Sequence, residues 1–148
     1  MRVLFLTTVL PGGLRGGGEI VAQSVIDALA GGGNDVRVVG YRRPGSDAPE
    51  LAGEVCAGVR PIETADAGRL RTLGWMARAV AERAPYSSAK FQSRGYVRAM
   101  RDELAAAPAL VFADHAQAAF AARAVAASVP LVFLAHNAEG AMYAEAAA

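Results

Sequence analysis

The chain has 148 residues, a mass of 15.3 kDa, and 53% apolar against 20% charged side chains, enough to bury the core of one ordinary domain and too apolar to stay disordered. Fifteen Lys and Arg against fourteen Asp and Glu leave a net charge of +1, which excludes a polycation that coats nucleic acid. Cys56 is the single cysteine, so an internal disulfide and a multi-cysteine zinc site are both excluded, and the chain reads as reduced and cytoplasmic.

No segment reaches the ~18 consecutive apolar residues of a membrane span. The opening Met1–Thr8 is apolar, but Pro11-Gly12-Gly13 interrupts it and no small-residue cleavage site follows, so it reads as a buried strand over Val3–Thr8 rather than a signal peptide. A glycine-rich loop, Pro11–Gly18, leads into a helix over Glu19–Ala30, with Ile20, Val21, Ser24, Val25, Ala28 and Leu29 at helical spacing and Gly31-Gly32-Gly33 ending it. Val36–Tyr41 is a second strand, which completes a βαβ unit. Arg42–Ala57 is polar and reads as a loop. Val55–Ile62 is a third strand that Pro61 confines to a sheet edge. Two helices follow, over about Asp66–Arg83 and Ser88–Ala107. In the first, Leu70, Leu73, Ala77, Val80, Ala81 and Ala84 share one face. Ala109–Ala113 is a fourth strand, His115–Ala127 a helix and Leu131–Ala135 a fifth strand. Ala138–Ala148 has the pattern of a further helix opening.

Strands alternating with helices predict an α/β domain over residues 1–148, an open parallel sheet covered by helices. Right-handed crossovers narrow it to a Rossmann-like, doubly wound order 3-2-1-4-5, with ligands expected beyond the carboxyl ends of strands 1 and 4, where the order reverses. Three features converge there: Gly16-Gly17-Gly18 after strand 1, Asp114-His115 after strand 4, and His136-Asn137 after strand 5. Glycine permits positive φ and close approach of a ligand to the backbone, and Glu19 opens a helix whose unpaired N–H groups favour a phosphate or diphosphate. The plainer reading is a permissive turn. His136 can hold a hydroxyl or phosphate, or titrate near neutral pH, or it only ends a strand. Asp114 either belongs to the site or caps the helix after it. Two histidines with scattered acids do not form a metal site. Gly13, Gly16 and Gly18 give G-x-x-G-x-G, not the dinucleotide fingerprint, although Arg42 and Arg43 at the end of strand 2 keep an NADP-dependent oxidoreductase open as an alternative. No Gly-Lys-Ser or Gly-Lys-Thr occurs, which excludes a P-loop nucleotidase.

Four segments carry a resemblance: the opening Val-Leu-Phe-Leu-Thr-Thr, the Gly-Gly-Gly-Glu at the first helix, Ala-Asp-His-Ala-Gln at 113–117 and Ala-His-Asn-Ala-Glu at 135–139. Together they resemble the amino-terminal, acceptor-binding domain of family 4 glycosyltransferases of the GT-B fold. The resemblance implies two facing Rossmann-like domains, of which residues 1–148 correspond to the first, while the carboxyl-terminal donor domain is missing. It implies a retaining transfer from a nucleotide-diphosphate sugar to a glycan, lipid or small-molecule acceptor, without a metal or a resident cofactor. Gly16, Gly17, Gly18 and Glu19 would then lie at the donor diphosphate, His136 would face the transferred sugar as the catalytic residue, and Asp114, His115, Asn137 and Glu139 would belong to the acceptor side. The isolated chain would be inactive. A non-catalytic Rossmann-like binding module is the remaining alternative.

Charge is unevenly spread. Residues 65–101 hold eight basic and two acidic residues, +6, and the rest of the chain carries −5. Lys90, Arg94, Arg98 and Arg101 follow i, i+4, i+8, i+11 and would form one helical stripe. It is either a solvated face or a surface that meets anionic lipid at the inner face of a membrane. A shortened sheet would also leave an apolar edge able to drive homodimer formation.

Overall fold

A computed structural model describes residues 1–12, 16–62, 68–125 and 129–135. In chain order these form β1 (Arg2–Val9), α1 (Gly17–Gly31), β2 (Asp35–Arg42), β3 (Glu54–Val59), α2 (Arg69–Glu82), α3 (Tyr86–Phe91), α4 (Arg94–Ala105), β4 (Leu110–Asp114), a 3-10 helix over Ala116–Arg123, and β5 (Leu131–Leu134). All strands are parallel, in the order β3-β2-β1-β4-β5, the Rossmann-like arrangement expected from the sequence.

The central strand shows why. Val3 to Leu6 are all essentially inaccessible to solvent, because β1 is covered on both faces. Alternate residues feed two cores. Phe5 with Val36 and Val38 packs against Ala22 and Ile26 of α1. Leu4 and Leu6 with Val39 and Tyr41 pack on the other face against Phe91, Tyr96 and Met100. β3 takes an edge, as Pro61 predicts, and stops at Val59, short of that proline. β5 takes the other edge, with Leu131, Val132 and Phe133 all exposed.

Three expectations are corrected. First, α1 is rotated from the face read in the sequence. Ile20 and Val21 are exposed, while Ala22 and Ile26 are buried, because the buried side begins with Glu19, held at the sheet end by Arg43. Second, the helix expected over Ser88–Ala107 is broken into α3 and α4. Ser93 is the N-cap of α4 and accepts a hydrogen bond from the Tyr96 amide at 3.1 Å, while the Tyr41 hydroxyl donates to the Phe91 carbonyl at 2.5 Å. Those bonds give the backbone at the break an alternative to helix. Lys90 therefore leaves the stripe. It is buried in α3, with its ammonium 5.2 Å from the Phe91 ring centre and 5.7 Å from that of Trp75, and Arg94, Arg98 and Arg101 alone share α4. Third, the helix expected from His115 is a 3-10 helix with no side-chain cap, since Asp114 bonds to a neighbouring strand instead. The expected helix over Ala138–Ala148 lies outside the described residues.

Candidate functional site

The site is a cleft of about 240 Å³ at the carboxyl ends of β1 and β4, where the strand order reverses. Its residues come from four places: Thr7, Thr8 and Val9 end β1, Gly16, Gly18, Glu19 and Ala22 open α1, Arg43 follows β2, and Asp114 and His115 end β4. Parallel pairing of Leu6 with Ala113 brings the ends of β1 and β4 side by side.

The floor is fixed by buried polar bonds. Asp114 is 1% exposed and accepts a hydrogen bond from the Thr7 hydroxyl at 2.7 Å. The Tyr96 hydroxyl donates to the Thr7 carbonyl at 2.9 Å from the far side of the sheet. Burial, reinforced by Tyr41 and Asp114, pushes the Tyr96 phenol well above its ordinary range, so it stays protonated and remains a donor. β1, β4 and α4 are thereby tied together beneath the cleft.

The rim is the start of α1. Gly16 is the N-cap, and the amides of Gly17 and Gly18 have no acceptor within their own helix. The Glu19 amide donates to the Gly16 carbonyl at 3.0 Å, so this N–H is already engaged. Its carboxylate is buried and forms an ion pair with Arg43, which neutralises the acid at the cleft. Gly16 is extended at φ −144, and neither Gly17 nor Gly18 has a positive φ, so the conformational argument for glycine does not apply to them. Space is what matters at Gly18. A Cβ there would lie 2.8 Å from the His115 Nε2 and 3.1 Å from its Cε1. Around Gly16 and Gly17 the corresponding space is open, and Gly17 does not line the cleft.

His115 is the strained residue of the site. Its backbone lies at φ 65, ψ 153, a region nearly restricted to glycine, and holding a side chain there costs on the order of 1–3 kcal/mol. Two backbone bonds hold it: its amide donates to the Leu134 carbonyl and its carbonyl accepts from the Ala118 amide, both at 3.0 Å.

Of the residues singled out in the sequence, Gly16, Gly18, Glu19, Asp114 and His115 meet in this cleft. His136, Asn137 and Glu139 lie outside the described residues. Sequence reasoning missed Thr7 and Thr8 as site residues, although two hydroxyls closing the otherwise apolar run Val3–Leu6 were a legible signal. It placed Arg42 and Arg43 together, but they diverge. Arg42 forms a two-pronged pair with Glu54, Nε to Oε1 at 2.6 Å and Nη2 to Oε2 at 2.9 Å, and the hydrogen bonding to Glu54 raises its pKa against the effect of burial. Only Arg43 lines the cleft.

The cleft combines a buried carboxylate, two threonine side chains, an imidazole and a helix N-terminus. Carboxylate and hydroxyl groups accept hydrogen bonds from sugar hydroxyls, and a helix N-terminus attracts phosphate. Compared with known proteins, the chain matches no family model, and no curated protein or solved structure gives a significant match.

Proposed function

We propose that the chain is the acceptor-binding half of a retaining, nucleotide-sugar-dependent glycosyltransferase of the GT-B type, working in the cytoplasm. The observation that carries the reading is the meeting of an anion-attracting element, the α1 N-terminus with Gly16 and Gly18, with the imidazole of His115 and the polar floor of Thr7 and Asp114 in one cleft at the switch point. A ligand with both phosphate and sugar hydroxyls fits that pairing. In this reading the first turn of α1 stabilises the charge that builds on the departing diphosphate, without help from a metal. His115 orients an acceptor hydroxyl above the floor that Thr7 and Asp114 form, and the family resemblance assigns His136 to the transferred sugar. Arg42 is occupied by Glu54, which favours this reading over recognition of an NADP 2′-phosphate.

The cleft, about 240 Å³, is smaller than the ~300–1,000 Å³ of a typical small-molecule pocket, and transfer needs donor and acceptor aligned in one closed site. In this reading the second domain supplies the other wall of the site. Calorimetric titration with nucleotide-diphosphate sugars, followed by a radiolabelled transfer assay, tests this. The expected result is weak binding, insensitive to the base and reduced by Gly18→Ala, with no turnover by residues 1–148 alone. Micromolar donor affinity, turnover by this chain alone, or the absence of any binding would overturn the reading. Tight NADPH binding would establish the oxidoreductase alternative instead.

A further inference from the structure

The apolar face of α2 points outward. Leu70 is 86% exposed and Val80 80%, with Leu73 and Met76 more than half exposed, and no residue of the helix is buried. Leu70, Leu73, Ala77, Val80 and Ala81 recur at helical spacing, so they form one continuous stripe. The orientation is fixed from the opposite side by Trp75 and from one flank by Arg78. Trp75 packs edge-on against Tyr86 of α3 with ring centres 6.4 Å apart, the Arg60 guanidinium lies 5.0 Å from the Trp75 ring centre, and Arg78 bonds the Gln92 carbonyl. The stripe is therefore held outward by a packed inner face.

Charge accompanies it. Arg69, Arg71 and Arg83 are exposed on α2 and its C-cap, and none of them forms an ion pair among the described residues, while the only acid of the helix, Glu82, is taken by Arg78 at 2.9 Å. At the Arg78 side of the helix lies a cleft of about 400 Å³ lined by Arg78, Arg94, Arg98 and Arg101 and by one acid, Asp102, which lies 3.9 Å from Arg98, so the cleft keeps an excess of positive charge. A projecting aliphatic stripe beside a basic cleft is the pattern of a helix that lies in a lipid interface, with the apolar side chains among the acyl chains and the arginines at anionic headgroups. Isologous pairing of two copies through this face would oppose arginines to arginines, which disfavours a homodimer here.

We propose that α2, with the arginines of α4 beside it, is a docking surface for a bilayer containing anionic phospholipid. The proposal is independent of what the cleft at β1 and β4 binds. It is tested by sedimenting the whole chain with vesicles of phosphatidylcholine alone and of phosphatidylcholine mixed with phosphatidylglycerol. The expected result is pelleting with the mixed vesicles only, declining as salt is added. The double variant Leu70→Glu/Val80→Glu, at positions exposed enough to leave the circular dichroism spectrum unchanged, should weaken binding at least tenfold. Arg94→Ala/Arg98→Ala should weaken it by a smaller factor. Equal binding to both vesicles, no binding to either, or full binding by a folded Leu70→Glu/Val80→Glu variant would overturn the proposal. So would a dimer in analytical ultracentrifugation that the same double variant dissolves.

Discussion

α1 and α2 have similar apolar spacing in the sequence and opposite fates in the structure. α1 is the crossover between the adjacent strands β1 and β2, so it must lie on the sheet, and Ala22 and Ile26 are almost fully buried there. α2 belongs to the longer connection from β3 to β4. In that connection α4 takes the place on the sheet, and α2 packs chiefly on α3. Helical periodicity identifies an apolar face, but not whether a sheet is available for it to cover. Topology decides that, and it leaves α1 on the sheet at the switch-point cleft and α2 with its stripe in solvent.

The contrast is broken most directly by truncation. Ile26→Ala should cost about 2–4 kcal/mol, the usual range for emptying a packed core position, whereas Val80→Ala should stay within about 0.5 kcal/mol. Urea denaturation midpoints of the two variants measure this, and similar losses would mean that α2 is buried after all. A smaller effect is expected at Glu103 of α4, which joins α4 to the amino ends of two strands. It accepts from Arg2 at 2.9 Å and from Arg37 at 3.2 Å. Burial works to raise its pKa, but the hydrogen bonds from Arg37 and Arg2 outweigh that and hold it below the usual glutamate value. A depressed folded-state pKa means that the stabilisation is complete above the unfolded-state value and is lost as pH falls through the folded one. Glu103→Gln should cost about 1 kcal/mol at neutral pH, a figure reduced because both guanidinium groups are partly in water, and should flatten the acid limb of a stability–pH curve. An unchanged acid limb would remove Glu103 from the account of acid sensitivity.

A further, modest effect has the opposite sign. His115→Gly should raise stability by about 0.5–1 kcal/mol, the relief of backbone strain less the entropy that glycine adds to the unfolded chain, while His115→Ala keeps the strain. Thermal unfolding of the pair distinguishes them, and a His115→Gly variant no more stable than His115→Ala would show that the backbone there is relaxed.

The sheet was legible because β1 is apolar at every position from Val3 to Leu6 and the glycine and proline boundaries are sharp. The strand order pointed to the switch point, and a cleft lies there. Less was legible where one residue decides between two hydrogen-bond partners. Ser93 splits a run that reads as one helix, and Asp114 has a short helix to cap but bonds to Thr7 instead. Both choices depend on what the folded chain brings alongside, Tyr41 in one case and β1 in the other, and neither is near in sequence. The rotation of α1 was hidden for a similar reason, since its buried side includes Glu19, an acid that faces inward and pairs with Arg43.

Amide chemical shifts followed by NMR during titration of the whole chain with inorganic pyrophosphate test most directly whether the switch-point cleft is a phosphate site. The prediction is weak, saturable binding with the largest shifts at Thr7, Thr8, Gly16–Glu19 and His115, diminished in Gly18→Ala, where the added methyl crowds the imidazole. Shifts confined to Arg94, Arg98 and Arg101, with the cleft unmoved, would contradict it.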